Sequence, residues 1–235
     1  MILTADIGML NYLASSTRPD IAFAVHQCAR FTTSPRRVHE LAIWRIVRHL
    51  KATSTRGYTL KPSQFFNLDC FIDADFAVTW STDTSEDPSS VKSWTGYVIT
   101  FASCPVLWCS KLQSEIALST TEAEYIALSQ SARDFIPMQG LLQELSAATE
   151  LIVSSTIAHS TIFEDNKGCV ELASAPCMRP RTHHIALKYH PFHSFVESGQ
   201  LCIQWIDTAH QLANIFTKPL TVASFTFLRE ILLGW

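Results

Sequence analysis

The stretch LSTTEAEYIALSQSAR, residues 118–133, decides how the rest of the chain is read. Ser119 and Glu122 have the spacing of a capping box, in which the hydroxyl takes a first-turn N–H and the glutamate reaches back to the entering backbone. A helix is therefore expected from this point through Ala132, with Glu124 in its first turn. Pro137 predicts a kink or break before a further helical stretch at 138–145, because its ring removes a donor and crowds the preceding turn.

Working outward, residues 68–74 read as a strand, followed by a polar loop over 79–93 with STDTSEDPSS at its heart. Residues 94–101 and 106–109 read as two more strands, joined by a short turn around Ser103 and Pro105. Downstream of the central helix come a strand at 161–164, a helix from about Asn166, another over 185–197, a strand at 201–206 and a closing helix at 211–216. Strands followed by alternating helices and strands indicate an α/β sheet with helices packed on its faces.

The region before Pro62 has a different character. Helices are expected at 4–15 and 19–31, the second opened by Pro19 with Asp20 in its first turn. Pro35 opens a third, to about Lys51. There Val38, Ala42, Ile46 and Leu50 recur every four residues beside Ile43 and Val47, while Arg37, Arg45 and Arg48 lie elsewhere on the circumference, so the helix reads as amphipathic and basic.

With 235 residues, 47% of them hydrophobic, the chain has enough apolar material for one good core and a smaller appendage. It contains no run of 18 apolar residues, and the start MILTADIGML lacks a basic leader and a small-residue cleavage site, so an intracellular protein without a membrane anchor is expected. The seven cysteines are odd in number and mostly lie within apolar runs, which argues against a disulfide framework. No C-x-x-C occurs, and Cys169, Cys177, His184 and His190 lack zinc-finger spacing. The net charge of −3 conceals a segregation. Residues 1–62 hold nine Lys/Arg against Asp6, Asp20 and Glu40, which leaves nine basic and eighteen acidic residues for the remainder. A basic arm suits phosphates and an acidic body suits cations; a solvated helix face accounts for the arm equally well.

Three acids lie at the ends of expected core elements. Asp73 interrupts the apolar strand FIDA, Glu124 begins the central helix, and Asp165 ends the strand TIFED. If they meet in space, their like charges repel and raise one another's pKa unless divalent cations fill the cluster. Oxygen-only ligation favours magnesium or manganese over zinc. Spacing alone leaves a second reading open, in which Glu122 and Glu124 serve a helix N-terminus and Asp165 caps the next helix.

Taken in order, the stretches MLNYLASSTRPDIAFAVHQCARF (9–31), RIVRHLKAT (45–53), IDADFA (72–77), KSWTGYV (92–98), WCSKLQ (108–113), LSTTEAEYIALSQSAR, EDNKGCVELA (164–173), RTHHIALKYH (181–190) and QLANIFTKPL (211–220) resemble the Pol polyproteins of copia-type retrotransposons, at the junction of reverse transcriptase and ribonuclease H. The resemblance implies a ribonuclease H-like mixed five-stranded sheet flanked by helices and preceded by a small helical arm. It divides the chain into a reverse transcriptase tail, thumb- or connection-like (1–62), a ribonuclease H-like domain (63–220) and a C-terminal tail (221–235). It implies endonucleolytic hydrolysis of the RNA strand of RNA/DNA hybrids by two Mg2+ or Mn2+ ions about 4 Å apart. Asp73 would bridge the ions, Glu124 and Asp165 would hold one, and position 214 would help hold the other.

Position 214 is Asn where the family usually has Asp, which implies weaker binding of that ion. Ala186 likewise replaces an acid, with consequences for packing or surface charge rather than chemistry. Arg37, Arg45, Arg48 and Lys51 are expected to grip phosphates of a hybrid whose 2′-hydroxyls identify the RNA strand. His210, in the turn before the closing helix, is a candidate auxiliary group for product release or proton transfer, although an exposed loop histidine explains it as well. The remainder of the polyprotein is an implied partner, and the implied location is a cytoplasmic virus-like particle or the nucleus. No Y-x-D-D aspartate pair and no D-[ST]-G motif is present, so polymerase activity is not expected. The alternatives are a catalytically weakened relic that still binds hybrids, which Asn214 favours, and a structural connector.

Overall fold

The computed structural model describes residues 4–77, 90–149, 160–175 and 192–235. Most of the expected loop at 79–93, the first part of the expected helix at 185–197, and Ala186, Cys177, His184 and His190 lie outside these residues. Three helices form the N-terminal arm: α1 (Thr4–Ser16), α2 (Ala22–Ala29) and α3 (Arg37–Ala52). Pro19 does not open one long helix; it starts a short 3-10 turn, Pro19–Ile21, that redirects the chain into α2. On α3 the buried residues are Ile43 and Ile46, while Val38 and Val47 of the expected apolar line are exposed. The helix lies chiefly against α2, which covers only a narrow strip. The physical face is therefore set by Ile43 and Ile46 rather than by the four-residue repeat from Val38.

The sheet contains β1 (Leu68–Asp75), β2 (Trp94–Phe101), β3 (Cys104–Leu112), β4 (Ser160–Glu164) and β5 (Leu201–Trp205), in the order β3-β2-β1-β4-β5. β1, β2 and β3 form an antiparallel meander, and β4 and β5 run parallel to β1, giving the expected mixed five-stranded sheet. The long helix α4 (Thr120–Thr149) follows the meander, α5 (Lys167–Ser174) and α6 (His193–Glu197) separate β4 from β5, and α7 (Val222–Leu233) closes the chain. The expected closing helix at 211–216 is instead a 3-10 helix, Leu212–Phe216, and α7 follows it.

Alternation along β1 assigns its side chains to two cores. Leu68, Cys70, Ile72 and Ala74 join Tyr97, Ile99, Ile162 and the buried face of α4 in one cluster. Phe71, on the opposite face, packs into a second cluster with Val98, Ile215 and Phe216, and with Ile7, Val25, Ile43, Ile46 and Leu228 of the arm and α7. The arm and the last helix are thus bonded to the back of the sheet by one apolar core. Hydrogen bonds reinforce this junction: Trp108 Nε1 donates to the Ala14 carbonyl at 2.7 Å, and the Thr59 N–H donates to the Leu233 carbonyl at 3.2 Å.

α4 runs unbroken through Pro137, so of the expected kink or break the break does not occur. Pro137 is exposed, as is Arg133 four residues earlier, so solvent can take the carbonyl that the proline leaves without a helical partner. Phe135 and Gln139, both buried, hold the helix against the protein on either side. The described cysteines, Cys28, Cys70, Cys104, Cys109, Cys169 and Cys202, are free thiols.

A buried ionic knot fixes the arm. Arg18 donates to both oxygens of Asp20, at 2.8 and 2.7 Å, and to Thr53 Oγ1 at 2.9 Å, while His49 Nε2 lies 2.7 Å from Asp20 Oδ2. Burial raises the Asp20 pKa, but hydrogen bonds and charge from Arg18 and His49 outweigh it, and the carboxyl lies below its ordinary value. A depressed folded-state pKa contributes stability above the unfolded value and loses it as pH falls through the folded one. Asp20→Ala is therefore expected to lose about 3 kcal/mol at pH 7, from stranding a buried guanidinium. The gap to wild type should narrow below about pH 4, as followed by urea denaturation with circular dichroism at both pH values.

Candidate metal centre

β4 pairs with β1 only over the register Asp69↔Thr161 to Phe71↔Phe163. Beyond Phe71 the two parallel strands part, and their carboxyl ends carry Asp73 and Asp165. The crevice outside the carboxyl ends of parallel strands is where open α/β sheets bind ligands. Glu124, from the first turns of α4, enters this crevice and accepts a hydrogen bond from the Ala74 backbone. One carboxylate oxygen from each of Asp73, Glu124 and Asp165 lies within 4.8 Å of the others. The three acids that sequence left as candidates are thus brought together.

The capping alternative does not hold for these side chains. Ser119 Oγ accepts from the Glu122 N–H at 3.1 Å and Glu122 accepts from the Leu118 N–H at 2.8 Å, so Glu122 serves the α4 terminus and Glu124 is left for the crevice. The cap of α5 is Asn166, which accepts from the Cys169 N–H at 3.1 Å, not Asp165. The Asp165 carbonyl accepts from Trp205 Nε1 at 2.9 Å, which pins its backbone to the end of β5.

A fourth carboxylate, Glu164, was not among the sequence candidates. It is fully buried, on the same side of β4 as Ile162, and Oε1 accepts from the Asn166 N–H at 2.9 Å. The signal was available: strict alternation along TIFED places Glu164 on the inward face, where an acid requires a reason. Burial, then the charge of Glu164, then those of Asp73 and Asp165 hold the Glu124 pKa well above its ordinary value. Burial does the same to Glu164, joined by the charges of Asp165 and Asp73, with the Asn166 N–H opposing.

The cluster has the chemistry of a site for a hard cation. Glu124 Oε2, Glu164 Oε2 and Asn214 Oδ1 are buried acceptors with no hydrogen-bond partner. A buried oxygen without a donor costs about 1–3 kcal/mol, and a divalent cation among oxygen ligands removes that cost and the repulsion together. Burial also raises the half-buried Asp75 to about 6, against the opposing charge of Lys218.

The wall of the crevice opposite β4 comes from the segment after the 3-10 helix Leu212–Phe216. Thr217 Oγ1 donates to Asp73 Oδ2, and Lys218 Nζ donates to Asp73 Oδ1 at 3.1 Å. Asn214 is buried and its Nδ2 donates to the Thr208 carbonyl at 2.8 Å, which holds the amide in place. Gly96, paired with Asp73 across the β1–β2 ladder, makes this approach possible. A Cβ there would lie 2.6 Å from Thr217 Cγ2 and 2.7 Å from Phe216 Cβ.

The basic residues of α3 do not join the acids. Arg37, Arg45, Arg48 and Lys51 are all exposed, and at 100° per residue they span roughly 120° of circumference opposite Ile43 and Ile46. Trp44, 56% exposed, lies within the same arc, so the face alternates cations with an aromatic ring. His210 ends an exposed 3-10 turn, Thr208–His210, with its ring edge-on to Phe227.

No protein-family model matches the chain. Over 227 residues it is 34% identical to the retrovirus-related Pol polyprotein from transposon RE2 of Arabidopsis thaliana, covering 96% of this chain and 14% of that protein. It is 35% identical over 219 residues to the corresponding polyprotein from transposon RE1 of the same plant, covering 93% of this chain and again 14% of the relative. Among solved structures, the N-terminal RNase H domain of rv2228c from Mycobacterium tuberculosis, a maltose-binding-protein fusion, is similar with a TM-score of 0.40 at 13% identity, covering 70% of this chain and 97% of that one.

Gly96→Ala is expected to force the 216–217 backbone away from β2, at a cost of about 1–3 kcal/mol as for other overpacked sites. Denaturant titration measures the loss, and a variant as stable as wild type would show that the segment moves freely.

Proposed function

Because the chain belongs to the retrovirus-related Pol polyproteins of copia-type transposons, we propose that residues 63–220 are its ribonuclease H domain, hydrolysing the RNA strand of RNA/DNA hybrids with Mg2+ or Mn2+. Residues 1–62 are then the helical tail of the reverse transcriptase, residues 221–235 follow the nuclease, and the rest of the polyprotein is the covalent partner. The observation that carries this reading is the convergence of Asp73, Glu124 and Asp165 at the carboxyl ends of β1 and β4, among buried oxygens that have no donor. The compartment follows from the same reading, a cytoplasmic virus-like particle or the nucleus. Among the described residues, no helix is long and apolar enough to cross a membrane.

Two bound divalent ions supply an activated water and charge stabilisation at the leaving oxygen. Asp73, within 4.8 Å of both Glu124 and Asp165 through a carboxylate oxygen, would contribute to holding both ions. Glu124 and Asp165 would help hold one, and Asn214 would offer the other a neutral amide oxygen. In the hydrolysis the water oxygen would bond to phosphorus and give up a proton to solvent, the P–O3′ bond would break, and the 3′ oxygen would take up a proton from solvent as it leaves. Trp205 and the Ala74 N–H hold Asp165 and Glu124 in position for this. The exposed face of α3, with Arg37, Arg45, Arg48 and Lys51 around Trp44, supplies phosphate contacts and one aromatic surface for the hybrid. His210, on the exposed turn Thr208–His210, is a candidate auxiliary group for product release or proton transfer.

Asn214 supports a second reading, a weakened relic that binds hybrids without cutting them. Cleavage of a labelled RNA/DNA hybrid in magnesium separates the two, with Asp73→Asn expected to abolish cutting. Asn214→Asp is expected to lower the magnesium concentration needed for half-maximal rate by about tenfold, since it restores a charge to the ligand set. Binding without cutting in wild type would establish the relic, and neither would leave a structural connector.

Replacing Arg37, Arg45, Arg48 and Lys51 with Gln should weaken hybrid binding and reduce the slope of log K against log salt by roughly one for each phosphate no longer neutralised. Fluorescence anisotropy across a salt series measures both quantities, and an unchanged slope would remove α3 from the interface.

A further inference from the structure

Both oxygens of Asp73 are already engaged by two consecutive residues of the same segment. Thr217 holds Oδ2 and Lys218 holds Oδ1, the latter as a salt bridge of 3.1 Å. Asp73 is almost wholly buried, whereas the Lys218 side chain is 30% exposed, so the ammonium reaches into the crevice from its rim. Asp165 and Asp75 also act on Lys218, which places this ammonium in the field of three carboxylates. Thr217 Oγ1 also lies 3.4 Å from the Asn214 backbone carbonyl, so residue 214 sits one 3-10 turn before the two residues that hold Asp73. This segment therefore carries a neutral amide at the position where the family usually has an acid, and an ammonium bonded to Asp73.

We infer that Lys218 is the resident cation of the Asp73–Asn214 half of the site, and that a second divalent ion binds there only by displacing the Lys218 ammonium from Asp73. This rests on the reading that Asp73, Glu124 and Asp165 bind a divalent ion. A carboxylate offers about four lone-pair positions. With Thr217 and Lys218 each taking one, Asp73 retains capacity for the ion it shares with Glu124 and Asp165. A second ion meets an ammonium in contact with its main charged ligand, and its other ligand, Asn214, has no charge with which to compete. The rim position of Lys218 gives the side chain a path into solvent when it is displaced. The protein therefore loads one ion tightly and the second weakly.

Mn2+ binding to the whole chain without nucleic acid tests this, read by electron paramagnetic resonance of free Mn2+ and by calorimetry. Wild type is expected to bind one ion tightly and a second much more weakly. Lys218→Met and Lys218→Gln should each tighten the second ion by at least about tenfold, a value discounted for the solvent screening of a partly exposed ammonium. Lys218→Arg, which keeps the charge, should behave as wild type, and the glutamine variant keeps a donor in case the methionine variant folds poorly. Unchanged or weaker second-ion binding in both neutral variants would overturn the role of Lys218 while leaving the first ion in place. Absence of Mn2+ binding in every variant, with Asp73→Asn no different from wild type, would instead overturn the metal reading and this inference with it.

Discussion

Repulsion among buried carboxylates is the constraint to which the rest of this protein answers. Asp73, Glu124 and Glu164 lie beneath the surface with Asp165 at their edge, and burial and mutual charge raise the pKa of the first three. A fold does not gather such groups without compensation. Compensation here has two parts. Lys218 and Thr217 bond to Asp73, and the Ala74 and Asn166 backbone groups bond to Glu124 and Glu164. Several oxygens still face inward without a donor, and these set the chemistry of the crevice.

The scaffold explains how these groups are held. β1 is paired on both sides as far as Phe71 and on one side beyond it, so the strand is rigid where it enters the site and open where it carries Asp73. α4 presses a continuous apolar face on one side of the sheet. The 3-10 helix, the arm and α7 press on the other side, through Phe71, Val98 and Phe216. Gly96 is the point at which this second layer comes close enough for residues 217 and 218 to reach an aspartate on the neighbouring strand. The crevice thus depends on both layers, although Asp73, Glu124 and Asp165 come from the sheet strands' ends and α4.

Several elements were legible in the residues. Apolar runs bounded by turn residues marked β1 and β2, the Ser119–Glu122 spacing marked the start of α4, and acids interrupting apolar strand ends marked Asp73 and Asp165. Errors arose where local signals competed with packing. The four-residue repeat from Val38 suggested a wide apolar stripe on α3, but α2 covers only the strip around Ile43 and Ile46. Pro137 suggested a break, but its cost to the helix is offset by the buried neighbours Phe135 and Gln139 that anchor the segment on both sides. Asp165 has the position of a cap, but the neighbouring Asn166 performs that role and leaves the aspartate to the crevice.

By itself the sequence determined the succession of the five strands and the long helix between them, the segregation of positive charge into the arm, and the identity of three acids at element ends, because these depend on spacing along the chain. Tertiary structure alone decided that Lys218 and Thr217 grip Asp73, and that Glu124, Glu164 and Asn214 each keep a buried oxygen lacking a donor. Thr217 lies 144 positions from Asp73 and Lys218 lies 145. No local pattern reports an interaction over such separations, since it exists only when the folded sheet brings the two segments to one edge of the crevice.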